Sequence, residues 1–152
     1  MIIRYEEAEK AILTILQNRK EKGIQEVVTY LNEHFPCYNW VGIYIVKGDH
    51  LHLGPWKGQH PTEHTSIPIG LGVCGSAAQT GKTEVIDDVH ADTRYLACFL
   101  STRSEIVVPI KHHSVVIGEI DIDSDTPHAF TRQDIIFLEK IADMLKMHIH
   151  NL

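Results

Sequence analysis

Glu105-Ile-Val-Val-Pro-Ile-Lys-His-His-Ser-Val-Val-Ile-Gly-Glu-Ile-Asp-Ile-Asp123 is the stretch whose reading decides the fold. Two runs rich in β-branched residues flank a short polar tip, the pattern of an antiparallel hairpin. The second run alternates cleanly. Glu119, Asp121 and Asp123 share one face, and Gly118, Ile120 and Ile122 share the other. A three-residue connection, His112-His113-Ser114, pairs Lys111 with Val115 and sets Glu105 opposite Asp121 on the acidic face. A four-residue connection would set Glu105 opposite Ile120 and separate the acids, because one slip turns the face over. Whether the acids cluster therefore depends on the register of this hairpin. A solvated outer face explains such alternation in the ordinary case. Carboxylates directly opposite one another are unfavourable. They become tolerable when they hold a cation or when one stays protonated. The ammonium group of a free amino acid is such a cation, and a protonated carboxyl is a proton donor.

Outward from this hairpin, Trp40-Val-Gly-Ile-Tyr-Ile-Val46 reads as another strand, with Lys47-Gly-Asp-His50 as its turn and Leu51 and Leu53 on the return. Trp40 and Tyr44 are four apart, so they share a strand face. Before them, Tyr5, Ala8, Ile12 and Ile15 recur at helical spacing. Gly23 interrupts, and Ile24, Val27, Val28 and Leu31 continue, as two helices or one bent helix. Gln59 to Ser66 reads as a loop. Ser76 to Thr80 reads as a short helix stopped by Gly81, Glu84 to Ile86 as a brief strand, and Asp87 to Leu100 as a long aperiodic loop. Thr131-Arg-Gln-Asp134 marks a helix start, followed by the stripe Ile135, Leu138, Ile141, Leu145 and Ile149. The order predicts an α+β domain spanning 1–152, with a central antiparallel sheet flanked by N- and C-terminal helices. Ile136, Phe137 and Met144 fall off the main stripe and predict a homodimer through these helices.

Composition excludes several classes. A net charge of −6 is unsuited to a nucleic-acid surface, and no apolar run reaches membrane-span length. The N-terminal residues lack the apolar core of a secretory signal. Three cysteines fit a reducing cytoplasm better than a disulfide framework. Eleven histidines are many, yet none shows metal-ligand spacing, so His50, His52, His112 and His113 read as surface residues and no metal site is expected. Cys98 precedes the Glu105 strand, and Cys74 lies in Gly72-Val-Cys-Gly75. Two thiols near carboxylates suggest redox chemistry, although buried packing accounts equally well for any single cysteine. A helix beginning just after Cys74 would favour its thiolate. Cys37, after Pro36, reads as a packing residue.

Taken together, Asn39-Trp-Val-Gly-Ile-Tyr44, Leu53-Gly-Pro-Trp-Lys-Gly58, Ile67-Pro-Ile-Gly-Leu-Gly-Val-Cys-Gly75, Asp88-Val-His90, Leu96-Ala-Cys98, Ser104-Glu-Ile-Val-Val-Pro109 and Asp121-Ile-Asp-Ser124 resemble the free methionine-(R)-sulfoxide reductases. The resemblance implies a single GAF domain, a GAF/PAS-like fold. It implies Cys98 as the nucleophile that attacks the sulfoxide sulfur and Cys74 as the cysteine that resolves the sulfenic acid to a disulfide. Glu105, Asp121 and Asp123 match the acids that hold the amino group of free methionine sulfoxide and assist loss of its oxygen. Trp40 and Tyr44 match aromatic pocket walls. The implied reductant is thioredoxin, with no bound cofactor. Two positions depart from the family pattern: His64 stands where a third cysteine is usual, and Phe99 where Asp usually follows the nucleophile. A GAF domain that binds a small molecule without transforming it remains the alternative.

Overall fold

A computed structural model describes residues 4–19, 21–97 and 99–149. Gly23 does separate two helices, α1 (Tyr5–Asn18) and α2 (Gly23–His34). The strands β1 (Trp40–Lys47) and β2 (His50–Lys57) form the first hairpin, and β3 (Ser66–Pro68) pairs with β2. Helix α3 (Gly72–Thr80) leads to β4 (Glu84–Ile86) and a 3-10 turn (Val89–Ala91). The second hairpin is β5 (Ser104–His112) with β6 (Val115–Ser124), and α4 (Arg132–Leu145) follows. All strand pairings are antiparallel, in the order β3-β2-β1-β6-β5-β4. Among the described residues no helix is long and apolar enough to cross a membrane.

The sheet is the middle of three layers. Val41, Ile43, Ile45, Ile106, Val108, Ile110, Ile120 and Ile122 face α1, α2 and α4 and form the larger core with them. The opposite face carries α3 and the connecting segments over a smaller core that includes Trp40, Tyr44, Cys74 and Val107. Covering both faces explains why the central strands read as nearly continuous apolar runs.

Phe137 is not on a free face. It is 1% exposed and packs 5.1 Å from Phe35 and 5.3 Å from Tyr5, centroid to centroid. The apolar arc of α4 is wider than the stripe suggested, because α4 meets both α1 and the sheet. Thr131 and Asp134 form the expected capping box. Asp134 is itself buried and also accepts hydrogen bonds from Tyr38 (2.5 Å) and Tyr5 (3.2 Å).

The register of the second hairpin corrects the expected pairing. Its turn is the two residues His113 and Ser114, both with positive φ (51° and 67°), the backbone of a tight primed turn. His112 therefore pairs with Val115, and Lys111 with Val116. That register alone would set Glu105 against Ile122 and scatter the acids. A one-residue irregularity follows, so Ile110 pairs with Gly118 and Glu105 with Asp123 rather than Asp121. The acids stay on one face because the extra residue restores the parity that the two-residue turn had removed.

Candidate active site

The floor of the site is a three-by-three grid of side chains on the face beneath α3. Across β1, β6 and β5, Trp40, Asp123 and Glu105 form one row. Gly42, Asp121 and Val107 form the next, and Tyr44, Glu119 and Pro109 the third. Four carboxyl groups thus share one buried surface: Glu105 is 4% exposed, Glu119 0%, Asp121 2% and Asp123 2%. Sheet alternation puts them there, and the covering layer keeps water away.

Glu119 is the acid that the resemblance did not supply. Its signal was present in the alternation, where it precedes Asp121 by two residues. Among the described residues, both its oxygens, both of Asp123 and one of Asp121 have no hydrogen-bond partner within normal geometry. Buried polar groups are nearly always paired, so these point to a missing positive or proton-bearing group. Burial pushes the carboxyls of Glu119 and Asp123 well above the ordinary carboxylate range, and the charge of Asp121 pushes them further. Burial raises Asp121 as well, while Glu105, Cys74 and His64 counteract the rise in part.

Cys74 hangs over this floor. It lies in the first turn of α3, because the helix begins at Gly72 and not at Ser76. Gly75 lets that turn approach its own entry loop: a Cβ there would come within 2.6 Å of the Pro68 carbonyl oxygen. The expected thiolate does not follow from this position. Burial, then the charges of Asp121, Glu119, Glu105 and Asp123, hold the thiol well above its ordinary pKa. The carboxyls overwhelm the helix N-terminus, and Cys74 is a neutral thiol at neutral pH. Its sulfur, one oxygen of Glu105 and one of Asp121 lie within 4.8 Å of one another, a spacing that suits one cation.

The aromatic walls are in place. Gly42 and Gly58 clear room for the Trp40 indole, since a Cβ on either would come within 2.3 Å of it. Trp56 stacks 6.1 Å from Trp40 on one side, and Phe99 lies 5.9 Å away, tilted by 46°. Tyr44 donates a 2.6 Å hydrogen bond to the His64 carbonyl oxygen, and a ring nitrogen of His64 lies 3.2 Å from the Ala97 carbonyl. His64 thus ties the β2–β3 loop to the segment ahead of β5. Arg94 holds that segment from below, bonded to both carboxylate oxygens of Asp92 and of Glu84.

Tyr44, His64, Ile67, Val73, Cys74, Leu96, Glu105 and Asp121 enclose a cavity of ≈ 10 Å³. A second cavity of ≈ 70 Å³ lies on the far side of Trp40, lined among others by Phe99, Thr102 and Asp123. Of the residues expected in the site, Cys74, Glu105, Asp121, Asp123, Trp40 and Tyr44 therefore converge. Cys98 lies outside the described residues.

Comparison with known proteins finds GAF-domain relatives, free methionine-R-sulfoxide reductases among them. The GAF domain family matches residues 21–149. The free methionine-R-sulfoxide reductase of Escherichia coli (strain K12) is 36% identical over 116 residues, covering 76% of this chain and 69% of the relative. The X-ray structure of free methionine-R-sulfoxide reductase from Neisseria meningitidis in complex with its substrate superposes with a TM-score of 0.89 at 34% identity, covering 97% of this chain and 89% of that one. The type II free methionine-R-sulfoxide reductase from Thermoplasma acidophilum gives 0.83 at 36% identity, covering 94% and 95%.

Proposed function

This chain belongs to the free methionine-R-sulfoxide reductase family, built on a GAF domain, and from that premise we propose that it reduces free L-methionine-(R)-S-oxide to methionine. The observation that carries the reading is the grid of four buried carboxyls, roofed by Cys74 and walled by Trp40 and Tyr44. An α-ammonium group supplies the positive charge this floor lacks. A peptide-bound methionine has no such group, so the floor selects the free amino acid.

In this reading Cys98 is the nucleophile; its chain neighbours Leu96, Ala97 and Phe99 border the site. Its sulfur attacks the sulfoxide sulfur as the S–O bond breaks and the protonated oxygen leaves as water; a water then attacks the Cys98 sulfur, expels methionine with its S–S electron pair and leaves Cys98 as a sulfenic acid. Burial raises the Asp123 carboxyl well above the ordinary carboxylate range, and a carboxyl of this kind supplies the proton for the departing oxygen. Cys74 then attacks the Cys98 sulfur, and its thiol proton leaves with the hydroxyl as water. A neutral Cys74 suits this step, since the adjacent carboxyls pass the proton on. The reductant that reopens the disulfide is a dithiol of the thioredoxin type, in the cytoplasm.

The ≈ 10 Å³ cavity is far smaller than methionine sulfoxide. The His64–Ala97 contact and the Phe99–Trp40 contact must part to admit it. The test is turnover of free methionine-R-sulfoxide with dithiothreitol, wild type beside Cys98→Ser. Wild-type turnover lost in the variant is expected. An inactive wild type, or binding without conversion, overturns the reading in favour of a ligand-binding GAF domain.

A further inference from the structure

The small cavity above the acid grid has a volume that no amino acid fits but a single ion does. About one water-sized sphere fills ≈ 10 Å³. Three ligand atoms border it together: Cys74 Sγ, a Glu105 oxygen and an Asp121 oxygen, all within 4.8 Å of one another. Ligand atoms around a tetrahedral ion lie about 3.3–3.5 Å apart, so the set contracts by up to about 1.5 Å on binding. Asp121, 2% exposed and lining this cavity, has one oxygen without a hydrogen-bond partner among the described residues. A buried carboxyl oxygen left so calls for a positive or proton-bearing group at this place.

The thiol sets the chemical class. Mg²⁺ and Ca²⁺ select all-oxygen surroundings, whereas Zn²⁺ takes thiolate and carboxylate together. We propose that the substrate-free site binds Zn²⁺ through Cys74 Sγ and one carboxylate oxygen each of Glu105 and Asp121, and that the ion and the substrate's ammonium group exclude one another. Binding releases the Cys74 proton to solvent, and no electron is transferred. The three anionic ligands already outweigh the ion's two positive charges, and a fourth coordination position is left for water. An ion here ties α3 to β5 and β6 and occupies the resolving thiol at once. The binding stands on geometry alone; the mutual exclusion rests on the reductase reading above.

The test uses the full reduced chain, freed of metal. Zn²⁺ is titrated in competition with a chromophoric chelator, and Co²⁺ is used as an optical probe. One tight site per chain is expected, with a thiolate-to-Co²⁺ charge-transfer band that Cys74→Ser abolishes and Cys37→Ser and Cys98→Ser retain. Glu105→Gln and Asp121→Asn each weaken Zn²⁺ at least tenfold, with far-UV circular dichroism showing that they stay folded. Binding that survives Cys74→Ser and Asp121→Asn unchanged belongs to surface histidines and overturns the proposal, as does no binding at all. Free methionine sulfoxide is then expected to raise the apparent Zn²⁺ dissociation constant in proportion to its concentration. Single turnovers without added dithiol separate the two readings. Methionine formed at a rate that Zn²⁺ does not slow refutes the exclusion and leaves the reductase standing. Tight Cys74-dependent Zn²⁺ binding in a protein that never forms methionine refutes the reductase and leaves the metal site standing.

Discussion

Replacing Glu119 by Leu should stabilise this protein, and more so at alkaline than at acid pH. Glu119 is fully buried, and among the described residues neither of its oxygens has a hydrogen-bond partner of normal geometry. A buried polar group without partners costs about 1–3 kcal/mol, and an apolar side chain of similar volume removes that cost. The carboxyl also holds its proton more tightly folded than unfolded, because burial and Asp121 raise its pKa. The folded state therefore binds more protons than the unfolded one above the ordinary carboxyl range. Wild-type stability is greatest in acid and falls as the pH climbs toward the raised value, by about 1.4 kcal/mol per pH unit per proton. Glu119→Gln removes this slope but keeps a buried polar group; Glu119→Leu removes both. Urea unfolding of the metal-free chain at pH 5 and pH 8 separates the two effects. We expect a gain of about 1–3 kcal/mol for the Leu variant at pH 5 and more at pH 8. In melting temperature each kcal/mol is worth roughly 2–4 °C for a chain of this size. A Leu variant less stable than wild type at pH 8, or an unchanged slope in both variants, would refute the argument that this carboxyl is stored uncompensated.

Other outcomes follow from single contacts. Phe137→Ala removes a ring packed between Phe35 and Tyr5 and should cost about 3–5 kcal/mol in chemical denaturation. Gly42→Ala forces the Trp40 indole from its seat; a loss of about 1–3 kcal/mol is expected, with weaker binding of free methionine sulfoxide by calorimetry. Arg94→Ala breaks half-exposed ion pairs worth about 0–1 kcal/mol, so stability should barely move while KM rises as the segment ahead of β5 loosens. Ile136 is 46% exposed on α4, and a homodimer through the terminal helices predicts that Ile136→Asp shifts sedimentation from dimer to monomer.

The strands and outer helices were legible because both faces of the problem were written in the chain. Period-two runs at Trp40 and Val115, and the Thr131–Asp134 box, require no tertiary knowledge. The hairpin register was misread at its tip. His113 and Ser114 adopt positive φ without glycine, which hides a two-residue turn, and a bulge leaves no residue-type signature. What survived was the demand that acids and isoleucines face opposite ways. The register obeys the faces, and the tip absorbs the remainder. The start of α3 was hidden for another reason. Gly72-Val-Cys-Gly75 has poor helix propensity and no side-chain cap, and the turn exists because it packs against the Pro68 loop and the sheet. Its placement over the carboxyls then reversed the expected state of Cys74. Phe137 was misplaced because a helical stripe takes one partner surface for granted, and α4 has two.

The chain contains two tryptophans, and both stand at the site: Trp40 as its wall and Trp56 stacked behind it. No indole elsewhere dilutes their emission. Admission of a ligand must separate Phe99 from Trp40, so the ring environment of one fluorophore changes with each opening. The protein thus carries its own optical gauge of lid motion, readable in stopped flow without a label.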